Sequence, residues 1–82
     1  MGKTAPLTEE MVRILRAATD GRLVLDMETW RWGIVGEARP DSRSRKLLMS
    51  RGHLRWSHGF SVVVSPSGEL ALADYRNDGA AA

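Results

Sequence analysis

A chain of 82 residues with no cysteine and a formal net charge of +2 makes one small domain whose core must come from side-chain packing alone. No apolar run approaches the roughly 18 residues of a membrane span, and the opening MGKTAPLTEE is too polar for a signal peptide. These features exclude a disulfide scaffold and a thiolate metal site, and they lead us to expect a protein of the reducing cytoplasm that makes no use of a membrane.

Residues 1–6 read as a flexible lead to a domain spanning 7–76, with 77–82 as a disordered tail. The first predicted element is a helix. Thr8 is its N-cap, Glu9 and Glu10 meet the positive end of the helix dipole, and Leu7 and Val12 have the spacing of a hydrophobic staple. Met11, Ile14, Leu15 and Ala18 recur at helical spacing and form the buried stripe, and Gly21 ends the helix.

From Arg22 the period changes to two. Leu23, Leu25 and Met27 alternate with more polar neighbours, as do Trp30, Trp32 and Ile34, so a β-hairpin closed by Asp26–Thr29 is expected. Tryptophans on strands can stack nucleic-acid bases. In a chain this small, Trp30, Trp32, Trp56, Phe60 and Tyr75 are expected chiefly as core.

The second helix is predicted to begin at Pro40 or Asp41, with Asp41 as N-cap and Gly52 just past its end. Spacing at 100° per residue puts Ser44, Leu47, Leu48 and Arg51 on the inner side. Ser42, Arg45, Lys46 and Met49 fall opposite, with Arg43 on the flank. A second hairpin follows over His53–Val64, turned at His58-Gly59, with Leu54 and Trp56 facing the parity of Phe60, Val62 and Val64. Ser65-Pro66-Ser67-Gly68 then starts either a short helix, with Ser65 as cap and Pro66 at its first position, or a third hairpin strand. The composition of ELALADY favours the helix. The fold class is therefore α+β: helix, hairpin, basic helix, hairpin, helix.

Charge is concentrated in one stretch. Arg39, Arg43, Arg45, Lys46, Arg51 and Arg55 face a single carboxylate, Asp41, between positions 39 and 56, so the rest of the chain is mildly acidic. Localised positive charge of this kind is the footprint of a phosphate-binding face. The two histidines, His53 and His58, would fall on opposite faces of a hairpin and are not expected to share a metal. No phosphate loop, nucleophile elbow or metalloprotease helix is present, so neither an enzyme nor a cofactor is expected.

The order LTEEMVRILRAATDGRLV, SRKLLMSRGHLRW and VVVSPSGELALADYR resembles the winged-helix domains of small bacterial and phage regulators. The resembling motifs are Leu48-Met49-Ser50-Arg51-Gly52-His53-Leu54 before the wing and Ser65-Pro66-Ser67-Gly68 after it. In place of the helix that precedes a recognition helix, this chain has TWRWGIVGEA. The resemblance implies binding of duplex DNA by a monomer or homodimer. Arg39, Ser42, Arg43, Arg45 and Lys46 would lie on or before the recognition helix, and Arg55 and His58 on the wing. A second reading uses the same arginines against a protein complex with an acidic surface, as in a phage-type inhibitor such as an anti-CRISPR protein.

Overall fold

The computed structural model describes residues 7–57 and 61–81. It has the expected α+β order: α1 (Glu9–Thr19), β1 (Leu23–Asp26), β2 (Arg31–Ile34), α2 (Ser42–Ser50), β3 (Leu54–Trp56), β4 (Val62–Val64) and α3 (Pro66–Ala81). β1 with β2 and β3 with β4 form two separate antiparallel ribbons. α1 is the central element and packs against β4, α2, α3 and β1.

Local chemistry explains each boundary. The Thr8 hydroxyl accepts the Met11 N–H at 3.1 Å, and Gly21 takes a φ of 74° past the C-terminus of α1. Val12 and Ala17 are buried in addition to the expected stripe, because helices and strands cover α1 on several sides. The Asp41 carboxylate accepts from both the N–H and the hydroxyl of Ser44 at 2.9 Å, starting α2, and Gly52 ends it at a φ of 76°. For α3, Ser65 Oγ accepts the Gly68 N–H at 3.2 Å, and the Glu69 N–H reaches the Ser65 carbonyl at 3.0 Å. The helical alternative for this segment is the one adopted. The helix is longer than the short element expected, and its backbone runs to Ala81, through residues read from the sequence as a disordered tail.

Three expectations need correction. The first turn lies one residue later, at 27–30, because Asp26 pairs with Arg31. The Asp26 carboxylate accepts the N–H of Glu28 at 2.9 Å, and Trp30 takes a left-handed φ of 57° instead of a strand conformation. The second hairpin pairs Leu54 with Val64 and Trp56 with Val62, and the Ser57 N–H reaches the Ser61 carbonyl at 2.8 Å. That register leaves three residues, 58–60, between Ser57 and Ser61 rather than two. The expected His58-Gly59 turn and Phe60 lie outside the described residues.

The third correction concerns the core, which is aliphatic. Ile14, Leu15 and Leu48 are its fully buried large side chains, joined by Leu23, Ile34, Leu54, Val62 and Leu72 among others. Trp32 and Tyr75 pack only partly against it, while Trp30 is 62% exposed and Trp56 49% exposed. The rings were expected inside because of their size. Short strands and closely packed helices instead bring branched aliphatics together and leave the tryptophans at the margin.

Candidate functional site

The N-terminus of α2 is set by a polar clamp from α1. Arg13 makes a bidentate pair with Glu10, through Nε at 2.9 Å and Nη2 at 2.7 Å. It also donates to the carbonyls of Ala38 at 2.8 Å and Arg39 at 3.0 Å, while Glu10 accepts the Asp41 N–H at 2.7 Å. Arg22 and Arg13 share Glu37. The arginine hydrogen bonds hold the Glu10 and Glu37 carboxyls below their ordinary values, so both stay ionised at neutral pH. The loop into α2 is therefore tied to α1 by charge-assisted bonds rather than by apolar burial.

That clamp leaves the cations of the 39–56 stretch in a different state. The four ion pairs among the described residues all belong to Arg13 and Arg22, with Glu10, Glu37 and Asp20 as partners. Arg39, Arg43, Arg45, Lys46 and Arg55 take part in none of them. Arg39, Ser42, Arg43 and Lys46 are exposed, as is Arg55 on β3. Arg43 and Lys46 share the outer face of α2 with Leu47, which is 38% exposed rather than buried as expected. Leu48 supplies the inner contact, with Met49 half-buried against the core. The inner face of α2 is thus turned toward Arg45 and Met49 relative to the predicted wheel.

Arg45 departs furthest from expectation. It is half-buried, its guanidinium carbon lies 4.9 Å from the centre of the Trp32 ring, and its Nε is buried without a hydrogen-bond partner. Desolvation pushes its pKa down from the ordinary arginine value. Trp32 in turn meets Trp56 at a centroid distance of 5.4 Å and an interplanar angle of 46°. One residue each from α2, β2 and β3 therefore builds an Arg–Trp–Trp cluster that joins the two ribbons. Tilted aromatic and cation–π contacts of this kind add roughly 0.5–1.5 kcal/mol each beyond burial. Sequence reasoning placed both tryptophans in the core and missed this cluster. Its only signal was that Trp32 and Trp56 exceed what so short a pair of hairpins can cover.

No protein-family model, curated protein or solved structure matches the chain. The resemblance to winged-helix domains rests on the motifs quoted above. Among the described residues no helix is long and apolar enough to cross a membrane.

The two histidines are not brought into a site. His58 lies outside the described residues. His53 is 4% exposed and belongs to the joint between α2, β3 and α3. Its Nδ1 lies 3.0 Å from Ser67 Oγ, which is also 3.0 Å from the Gly52 carbonyl. Ser65 Oγ donates to the same carbonyl. Nε2 is buried with no hydrogen-bond partner, so the charged ring, protonated at both nitrogens, would hold an unpaired N–H there. Burial, assisted by Arg51, lowers the His53 pKa below its ordinary 6.5.

A pH dependence follows, because the unfolded chain takes up this proton more readily than the folded one. The stability contributed by neutral His53 is fully present above about pH 6.5 and is lost as the pH falls toward the lower folded value. Below about pH 6.5 the unfolding free energy should decline as the pH falls, by at most about 1.4 kcal/mol per pH unit. Denaturation midpoints across this range check it, with His53→Asn expected to flatten the profile. A wild-type profile already flat there would refute the account.

Proposed function

We propose that this chain is a small non-enzymatic binding module on a winged-helix-like scaffold. It takes duplex nucleic acid through Arg39, Arg43 and Lys46 at the start of α2 and Arg55 on the wing. The observation that carries the reading is the division of charge. The carboxylates in ion pairs serve Arg13 and Arg22, so four exposed cations of the 39–56 stretch keep their charge available to phosphates. Arg45 has a different part, bracing Trp32 behind this face.

Salt dependence is the test. With roughly four phosphate contacts, log K should fall against log salt with a slope near −3.6, about two orders of magnitude between roughly 50 and 200 mM. The Arg43→Ala/Lys46→Ala variant, altered only at exposed positions, should fold normally and flatten the slope by about two. Titration of a labelled duplex checks both values. Absence of binding at the lower salt would sink the proposal.

One observation favours a second reading. The half-exposed Trp56, packed on Trp32, which Arg45 covers in turn, belongs to a cluster with the composition of a protein-binding hot spot. A phage-type inhibitor would use it against an acidic protein surface. Trp56→Ala would then cost roughly 2 kcal/mol or more of partner affinity, whereas single losses among Arg39, Arg43 and Lys46 would matter little.

A further inference from the structure

Within the nucleic-acid reading, on which this step rests, we infer that Arg13 and Glu10 of α1 are positioning residues for the cationic face. They fix the backbone that carries Arg39, so that its side chain reaches a phosphate from a rigid base. Three observations carry it. The first is that all five guanidinium N–H donors of Arg13 are engaged within the protein. Nε and Nη2 hold the Glu10 carboxylate at 2.9 and 2.7 Å. Nη1 reaches Glu37 at 3.4 Å and the Ala38 carbonyl at 2.8 Å, and Nη2 also reaches the Arg39 carbonyl at 3.0 Å. No donor is left for a phosphate, so Arg13 acts through the loop it holds.

The second observation is how closely these bonds bracket Arg39. The carbonyls of Ala38 and Arg39 accept from Arg13, the Asp41 N–H donates to Glu10 at 2.7 Å, and Pro40 between them is buried. Connecting loops are ordinarily the mobile parts of a fold. This one is held on both sides of Arg39. The third observation is the state of the Arg39 side chain, which is exposed and takes part in none of the ion pairs among the described residues. A free charge on a fixed backbone has less freedom to lose when it meets a phosphate. Asp41 is also the N-cap of α2, so the clamp sets where that helix begins. Arg55, on β3, lies outside it and is the reference cation.

The test holds net charge constant. Arg13→Lys keeps the cation but replaces a five-donor fork with a three-donor ammonium, which cannot hold Glu10, Glu37 and two carbonyls together. Binding of a labelled duplex at about 50 mM salt is measured for wild type, Arg13→Lys, Arg39→Ala and the double variant. Arg39→Ala is expected to weaken wild-type binding about tenfold, and binding by Arg13→Lys only about threefold or less. Arg55→Ala should cost the same in both backgrounds. Glu10→Gln, which removes the charge that orients Arg13, repeats the cycle from the other side and should give the same pattern. Amide exchange of the free protein adds a readout without DNA: the Asp41 N–H should exchange about tenfold faster in Arg13→Lys, with the Leu15 N–H unchanged. An equal cost of Arg39→Ala in all backgrounds overturns the inference and leaves the nucleic-acid reading standing. So does an unchanged Asp41 exchange rate. A cost of Arg55→Ala that shrinks alongside that of Arg39→Ala would mark general disruption and also overturns it. Absence of duplex binding by the wild type overturns both.

Discussion

Leu15→Ala is expected to destabilise the domain by about 2–5 kcal/mol, a large part of what a chain of this length has to lose. Leu15 is fully buried on α1, the helix that packs against β4, α2, α3 and β1, so truncation opens a hole where these elements meet. The neighbours cannot easily collapse into it. Ile14 and Leu48 are also fully buried, and β4 is fixed to β3 by backbone pairing. Unfolding of both proteins in urea gives the measurement, with an unchanged slope confirming that the same surface is exposed. A midpoint shift too small to reach about 1 kcal/mol would mean that α1 is not the centre of the core. Val35→Ala, at a residue 59% exposed, serves as the control and should stay within about 0.5 kcal/mol.

The order of elements was legible because each boundary is written locally. Thr8, Asp41 and Ser65 cap helices through their own side chains, and Gly21 and Gly52 supply the positive φ that ends α1 and α2. Such signals depend on a few consecutive residues and survive whatever the tertiary context does. The face of α2 was less legible. Leu47 and Leu48 are equally apolar, and the helical wheel could not show that α1 would take Leu48 while Trp32 drew Arg45 inward. The turn at residues 27–30 was misplaced by one because Trp30 adopts a conformation that bulky residues seldom take, stabilised by Asp26 behind it.

The candidate site was half legible for a related reason. Concentrated charge is visible in a sequence, so Arg39, Arg43, Lys46 and Arg55 were named from it, and they are exposed. Which cations are neutralised is a tertiary property. Glu37 stands fifteen residues from Arg22 and twenty-four from Arg13, and nothing in the local pattern assigns it to them. The Arg45–Trp32–Trp56 cluster is likewise assembled from three elements that meet only in the fold. Its members were read singly, as a phosphate ligand and two core rings. Together they make an aromatic cluster that joins the two ribbons.

Gly68→Ala is expected to cost about 3 kcal/mol, although glycine-to-alanine in a helix ordinarily stabilises by about 1 kcal/mol. The sign reverses because of what the added methyl would meet. A Cβ at position 68 would lie 2.3 Å from the His53 carbonyl oxygen and 2.7 Å from Val64 Cγ1. The valine side chain can turn away, but the carbonyl is backbone and already accepts the Ser65 N–H at 2.9 Å. To admit the methyl, the first turn of α3 must lift off β3 and β4, breaking the hydrogen bonds of Ser65 and Ser67 to Gly52 and of His53 to Ser67. The effect should reach the candidate surface, since β3 carries Arg55. Denaturant midpoints of wild type and Gly68→Ala measure the stability, with Leu70→Ala, at an exposed position on the same helix, as the near-neutral comparison. Stability equal to or above the wild type would show that α3 does not press on the β3–β4 hairpin as closely as the His53 contact requires.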